Sequence, residues 1–465
     1  MEVRCATDAN LTKWGPPDFI YQAYFYRALP YDPVRPWEDT DGKWYSSWST
    51  DGCNGTSQWG ATPASNLKKT PCKPGGQLEL LVSDALHGPK ANWKQLPPMF
   101  TTNVTKSGMA AKVGAIEREF VTSGYFGGLA GDPDGGKTRV VTQNNAGKIL
   151  SLHIIDIIIA LMLNEGLYGH AAGPTYWVGT QKPGEQFNAY WDKVGAVGHY
   201  VSLSKFTALP LFPGALLTPA CCRSQDYGSL TMARTLGSDP NQVAKNGRRV
   251  LLGWIGGTPA SQSLARDLSL SAEYELLQAF VPELQVLRQP ATFESTTVAE
   301  DDDSARVPHS TGSLQLEVVA SFSWTTTPTA LFGISVLGGA SKMTIDCSGK
   351  DPSAPGGCMV SVDGSTGPLM PIGTKTVELH SIVDHEILET IYNNRTAMVT
   401  YNKKIPSATS TSGKHTNTPH HNSISEECSE SLHVGSVELY GTTAGIKAEI
   451  KTWSLDSANN LGPQP

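Results

Sequence analysis

No stretch of this 465-residue sequence is apolar for long enough to cross a lipid bilayer. A spanning helix needs about 20 predominantly apolar residues. The most apolar passage, Ile149 to Leu163 around "IIDIIIALML", is shorter and carries His153 and Asp156. An aspartate near its centre costs about 2.5–3.5 kcal/mol on the insertion scale, so no membrane span is expected. Charge is also scarce. Only 17 % of residues are charged and the net charge is −7, which leaves no basic footprint for nucleic acid. The opening "MEVRCATDANLTKW" lacks the basic-then-apolar pattern of a signal peptide. Histidines cluster only in "KHTNTPHH", where His415, His420 and His421 lie in a Ser/Thr-rich stretch without Cys or carboxylates at ligand spacing. That stretch reads as a solvated loop, and no metal is expected there.

Turn formers, in contrast, are abundant, with 46 Gly and 31 Pro, and they favour short strands over long helical bundles. Eight Cys and the sequons at Asn10, Asn54, Asn103 and Asn394 lean towards a secretory history. Cys53 and Cys72 offer one loop staple and Cys347 and Cys358 another, with the pairing left open.

Length favours two domains. Up to about residue 290, segments such as "GKWYSSWST" (42–50), "TRVVTQNN" (138–145), "TYWVGTQ" (175–181) and "RRVLLGWIGG" (248–257) read as strands between Gly and Pro turns. Their even spacing suggests a sandwich, barrel or propeller. The polar, acidic stretch 289–313 reads as a linker. Strands resume at "LQLEVVASFSW" (314–324) and continue through "ALFGISVLGG" (330–339), "TVELHSIVDHEILETIY" (376–392) and "VGSVELYG" (434–441). In "GIKAEIKTWSL" (445–455), Ile446, Ala448 and Ile450 alternate with Lys447, Glu449 and Lys451, as a strand with one dry face requires. A second all-β unit, a sandwich, is expected.

"GDPDGGKT" (131–138) matches the phosphate-loop pattern letter for letter. That loop must lie between a strand and a helix so that backbone N–H groups meet the phosphates. A strand-like segment follows instead, and Asp132 and Asp134 would put negative charge where phosphates sit. A hairpin turn is expected.

Carboxylates beside aromatics are more informative. Glycosidases use one carboxylic acid to protonate the leaving oxygen and a second carboxylate at the anomeric carbon. "YDPVRPWEDTDGKWYSSW" (31–48) sets Asp32 in a turn, ahead of Trp37, Trp44 and Trp48, and "AIEREFVTSGYFGG" (115–128) supplies Glu117 and Glu119. Spacing alone favours a turn-forming Asp-Pro and surface glutamates.

Several segments, in order, resemble glycoside hydrolase family 32, the invertases and related fructosyl enzymes. "YDPVRPWEDTDGKWY" is similar to the family's Arg-Asp-Pro strand, with Tyr31 where Arg is usual and Arg35 nearby. "TYWVGTQKPGEQF" (175–187) looks like "YxIGTYD…F", and "DYGSLTMARTLG" (226–237) with "GRRVLLGWIGG" (247–257) resembles "DYGxFYAxxTF…RRxLxGW". "QSLARDLSLS" (262–271) and "VPELQVLR" (281–288) resemble the closing blade, and "IVDHEILETIYNNRTAMVTY" (382–401) a strand pair of the C-terminal unit.

The resemblance implies an all-β chain: a five-bladed β-propeller over 1–290 with its first blade largely missing, a linker over 291–313 and a β-sandwich over 314–465. It implies cleavage of β-fructofuranosidic bonds in sucrose or short fructans by a retaining double displacement, without metal or organic cofactor. Fructosyl transfer and non-catalytic fructan or sucrose binding are the alternatives. Asp32 corresponds to the aspartate that grips fructose hydroxyls, Arg35 and Trp37 to substrate contacts, and Glu117 to the acid/base. Glu117 is followed by Arg118 where the family has Cys, and Glu119 is the second choice. The nucleophile motif "WMNDPNG" has no counterpart. "CATDANLTKW" fits a later "ATSxDLxxW" strand, so Asp8 is not the nucleophile, and the chain reads as N-terminally truncated with impaired activity. The family setting is secreted or vacuolar.

Glu117 and Asp226 are 109 positions apart, about twice the family's usual spacing. Two 25-residue segments, 148–172 and 201–225, are surplus. Val201-Ser202 is encodable as a splice donor and Gln225 as an acceptor; Gly147-Lys148 and Ala172-Gly173 are similar. Both segments read as retained-intron translations, against the alternative of genuine loop insertions.

Overall fold

The computed structural model describes residues 2–3, 13, 18–19, 31–50, 77–88, 90–101, 121–135, 137–144, 175–189, 223–224, 226–236, 248–255, 261–298, 309–310, 313–348, 357–371, 373–401, 436–441 and 445–457. Among them, regular structure is nearly all β. The only helical segments are two 3-10 turns, Pro282–Leu287 and Pro290–Thr292. Their prolines supply the fixed φ and need no donor in a first turn.

A two-residue pairing, β1 (Glu2–Val3) with β2 (Asp18–Phe19), comes first. Three antiparallel sheets follow. The first runs β3 (Tyr31–Glu38), β4 (Trp44–Thr50), β5 (Gln77–Ser83), β6 (Lys94–Thr101) in simple neighbour order. The second holds β7 (Val121–Gly127), β8 (Thr138–Asn144), β9 (Thr175–Thr180) and β10 (Asn188–Ala189), with β11 (Arg223–Ser224) also on β9. The third holds β12 (Leu230–Leu236), β13 (Arg249–Ile255), β14 (Ser261–Gln262), β15 (Arg266–Leu270) and β16 (Leu276–Phe280). Where the connection is short, as between β3 and β4 or β15 and β16, neighbour order follows from the turn, because two strands joined by a few residues pair antiparallel.

From residue 294 the chain is β17 (Glu294–Val298), β18 (His309–Ser310), β19 (Gln315–Trp324), β20 (Phe332–Val336), β21 (Ser341–Asp346), β22 (Met359–Val362), β23 (Ser365–Pro368), β24 (Thr376–Asp384), β25 (Ile387–Tyr392), β26 (Thr396–Tyr401), β27 (Ser436–Gly441) and β28 (Ile446–Ser454). These form a fourth sheet in the order β17-β28-β19-β24-β25-β26 and a fifth in the order β18-β27-β20-β21-β22-β23. One hydrophobic cluster joins them: Leu316, Val318 and Phe322 of β19 meet Phe332 and Ile334 of β20, and Phe322 and Phe332 sit edge to face at 5.5 Å. The alternation read in β28 holds, with Ile446, Ala448 and Ile450 buried and Lys447 and Glu449 exposed.

The stretch 289–313 carries structure of its own. Its β17 pairs with the edge of β28 and its β18 with β27. Edge strands need backbone hydrogen bonds rather than apolar side chains, which is why a polar passage without periodicity still adds to both sheets. Cys347, just after β21, and Cys358, just before β22, form a disulfide.

The fourth sheet is a middle layer. On β25, Leu388 and Tyr392 face the fifth sheet, while Ile391 on the other face packs with Phe280 of β16, Ile382 and Leu455. Val399 of β26 belongs to the cluster of Leu230, Leu251 and Leu268 in the third sheet. A strand pair dry on both faces has no polar phase to show in the sequence, and "ILETIY" and "TAMVTY" are such strands.

Candidate active site

Asp32 and Arg35 lie in β3, an extended strand rather than the turn expected of Asp-Pro. Its pairing with β4 shifts register between Tyr31 and Val34 and again between Val34 and Trp37, so the strand bulges on either side of Val34. A bulge accommodates a proline without a ladder hydrogen bond, which reconciles Pro33 and Pro36 with strand geometry. The side chains of Asp32, Arg35 and Trp48 are outside the described residues, as are Asp8, Glu117, Glu119 and the histidines of 414–421 in their entirety. Trp37 is 2 % exposed, and its indole N–H donates to Asp39 Oδ2 at 3.2 Å while its ring stacks on Tyr45 at 6.0 Å. Its side chain is thus buried on the strand that carries Asp32. Tyr45 donates to Asp41 Oδ2 at 2.8 Å; burial, that bond and the nearby charges of Asp41 and Asp39 push its phenol well above the usual range. Trp44 packs half-buried with Leu81 and Trp93.

The phosphate-loop look-alike is a hairpin turn between β7 and β8. Asp132 closes it, accepting from the backbone N–H of Asp134 and of Thr138 at 2.9 Å and from the Thr138 hydroxyl. Asp134 accepts from Tyr274 at 2.9 Å, and Leu270 N–H reaches Ala130 O at 2.9 Å, so the turn docks on the third sheet. Gly131 has φ of +74°, and a Cβ there would lie 2.4 Å from Leu270 O. The glycine and aspartates are required by the turn itself, and the motif has no helix to offer a phosphate.

The motif "DYGS" marks the junction of the third and fourth sheets. Its backbone runs along the outer edge of β26: Tyr227 N–H donates to Ala397 O at 2.8 Å and Ser229 N–H to Val399 O at 2.7 Å. Asp226 Oδ1 accepts from Gly228 N–H at 2.8 Å and Val399 N–H at 3.2 Å. Its Oδ2 takes Arg266 at 3.0 Å, and the other arm of that guanidinium donates to Glu389 Oε2 at 3.0 Å. Glu389 Oε1 accepts from Leu264 N–H at 2.6 Å, and Gln278 Oε1 also accepts from Arg266 at 3.2 Å. Asp226 and Arg266 are wholly buried and Glu389 nearly so. Burial works against the Arg266 charge, yet the two carboxylates raise its pKa, while burial drives Glu389 up against the pull of Arg266. Asp226, Arg266 and Glu389 lie inside the motif segments but were not among the expected site residues. The available signal was charge at Arg266 and Glu389 inside two strand patterns otherwise rich in apolar residues, "ARDLSL" and "EILETIY".

The chain aligns with fructan 1-exohydrolase IIa of Cichorium intybus in complex with 1-kestose at a TM-score of 0.58 and 14 % identity, covering 98 % of this chain and 79 % of that one. It aligns with exo-inulinase of Aspergillus awamori at 0.54 and 14 %, covering 92 % and 67 %, and with the β-fructofuranosidase of Aspergillus kawachii at 0.53 and 13 %, covering 93 % and 72 %. The fold is shared. At these identities the likeness concerns the fold alone. No family model matches the sequence, and no curated protein matches it.

A second charged group spans the same junction. Glu317 of β19 accepts from Arg288 at 2.7 Å through both oxygens and from His380 Nε2 at 2.7 Å. His380 meets Phe280 edge to face at 4.8 Å, and Arg288 stacks 4.0 Å over the Trp453 ring. Burial pushes the Glu317 carboxyl up, but the bonds and charges of Arg288 and His380 outweigh it and hold the pKa at about 2. Among the described residues no group of His, Cys, Asp and Glu is placed to hold a metal, and no helix is long and apolar enough to cross a membrane.

Proposed function

We propose that this chain is a glycoside hydrolase-type protein of the family 32 kind, directed at β-fructofuranosidic bonds in sucrose or short fructans. In this reading the first three sheets are blades of a five-bladed propeller and the fourth and fifth sheets are its C-terminal sandwich. The observation that carries it is the placement of the motif segments, in order, on strands of a fold that aligns over 98 % of the chain with a fructan-cleaving enzyme.

The chemistry asks three things of carboxylates. Glu117 protonates the leaving glycosidic oxygen and then, as carboxylate, deprotonates the incoming water. Asp32, on a bulged strand stiffened by Trp37, holds the fructose hydroxyls as charge develops at the anomeric carbon, with Arg35 beside it. A third carboxylate, about 5–5.5 Å from the acid, attacks the anomeric carbon. No segment of the 465 residues matches the pattern that would supply it. Losing a nucleophile removes orders of magnitude of rate while binding groups persist. The chain as written therefore binds fructosides and turns them over slowly at best.

The test is to incubate the purified chain with sucrose, 1-kestose and inulin, measuring fructose release and, separately, binding by calorimetry. The expected result is saturable binding, weakened at least tenfold in Asp32→Asn, with fructose release at the blank rate. Rapid fructose release would overturn the impairment, and absence of binding to all three would overturn the fructoside reading.

The segments 148–172 and 201–225 belong to the same proposal, as retained-intron translations. Segment 148–172 is outside the described residues, and of the other only Arg223–Ser224 is described, paired with Tyr176 and Thr175 of β9. Mature transcripts should skip both stretches, and reads running through them would end that part of the proposal.

A further inference from the structure

The β25–β26 hairpin turns on two consecutive asparagines, Asn393 and Asn394, with φ of 49° and 55°. Three residues, Asn393 to Arg395, connect the paired Tyr392 and Thr396, and asparagine tolerates the positive φ of the first two better than most side chains. Arg395 N–H closes the turn on Tyr392 O at 2.9 Å.

The two side chains have different fates. Asn393 Oδ1 accepts from Glu378 N–H at 2.7 Å, and its Nδ2 donates to Met370 O at 2.9 Å. Asn394 is exposed, and its amide has no partner among the described residues; only its backbone carbonyl is used, accepting from Gln278 N–H at 2.7 Å. The free asparagine is the one that begins Asn394-Arg395-Thr396, the acceptor pattern for N-linked glycan. The other three sequons are outside the described residues. An independent observation bears on the compartment. Cys347 and Cys358 are joined, and disulfides of this kind form and persist where the environment is oxidising, as along the secretory pathway.

We propose that Asn394 carries an N-linked glycan. In the transfer, Asn394 Nδ2 forms a bond to the anomeric carbon of a lipid-pyrophosphate-linked oligosaccharide. The bond from that carbon to the pyrophosphate oxygen breaks, the lipid pyrophosphate leaves with the electron pair, and the amide releases one proton. Thr396 fixes the timing. Its hydroxyl donates to Pro368 O at 2.6 Å and the residue is 1 % exposed, so a transferase cannot read it once the hairpin has closed on β23. Transfer therefore precedes closure of this hairpin, and the glycan then projects from a turn that makes no use of the modified amide.

The test is to express the full chain behind an added secretory leader, confirm the Cys347–Cys358 bond by peptide mapping, and map glycans by mass spectrometry before and after peptide-N-glycosidase. The Asn394 peptide is expected to carry glycan and to become the aspartate form on enzyme treatment. Asn394→Asp, which keeps a residue tolerant of positive φ, is expected to be secreted at wild-type yield with the glycan at this site lost. Already folded, unglycosylated chain is expected to be a poorer acceptor in vitro than the reduced and unfolded chain. An unmodified Asn394 in chain that has been secreted and has formed the disulfide would overturn the proposal, and equal acceptance by folded chain would overturn the timing.

Discussion

Arg266 stands between two carboxylates in a place water does not reach, and that position makes it an informative residue to replace. Breaking a buried pair from one side leaves uncompensated charge, which typically costs about 3–5 kcal/mol. Arg266→Met should therefore destabilise the chain by about that amount in urea denaturation, because Asp226 and Glu389 would face each other without their shared cation. Adding Asp226→Asn and Glu389→Gln to the same variant should restore a large part of the loss. If the triple variant were no more stable than the single, the cost would lie in packing instead of charge.

Glu317 gives a pH dependence with a definite sign. Its folded pKa of about 2 lies below the ordinary 4.5, so its stabilisation is complete above about pH 4.5 and is lost as pH falls towards 2. Arg288 and His380 are partly solvated, so screening reduces the contribution to on the order of 2 kcal/mol. Glu317→Gln should flatten the acid limb of stability between pH 4.5 and 2, read from urea midpoints at each pH. An unchanged slope in the variant would assign the acid limb to other carboxylates.

Among elements, the "DYGS" segment is the most constrained. A Cβ on Gly228 would lie 2.0 Å from Val399 O, so no side chain fits while the segment stays paired to β26. Gly228→Ala should cost about 2 kcal/mol or more and raise amide exchange at Tyr227 and Ser229. Normal exchange protection in that variant would contradict the pairing.

The elements also show what the sequence made legible. The alternation in β28 and the aromatic and β-branched runs of β4, β8, β9, β13 and β19 were readable because each has a distinctive residue pattern. The hairpin at 131–138 was readable because its aspartates argued against a phosphate. The extended geometry of Asp32 was not, since a bulge depends on the partner strand and leaves no local mark beyond Pro33 and Pro36. Strands β17 and β18 were hidden for a related reason: edge pairing uses the backbone, which every sequence has. The buried triad joins residues 40 and 123 positions apart, a proximity that only the topology creates. For the candidate site, Trp37 is buried on the strand that also carries Asp32, while Glu117 lies outside the described residues and stands on resemblance.

At the scale of the whole molecule, the layers are not independent. Val399 of the fourth sheet belongs to the core of the third, and Phe280 of the third packs with Ile382 and Ile391 of the fourth. Regions that share core residues should unfold together. Calorimetry of the full chain should show one principal transition for the third, fourth and fifth sheets. Two well-separated transitions would mean that the shared contacts contribute little.

The pairing of residues 227–229 with β26 also determines what happens if the chain is cut. With that segment in place, the last strand of the fourth sheet pairs with β25 on one side and on the other has Ala397 O and Val399 O accepting and Val399 N–H donating. A proteolytic fragment beginning near residue 290 would keep β17, its disulfide and its inner core but expose a bare strand border at Ala397 and Val399. Such borders recruit other chains. The fragment is thus expected to oligomerise through β26, and the first part of the polypeptide serves the second as a permanent intramolecular cover against self-association.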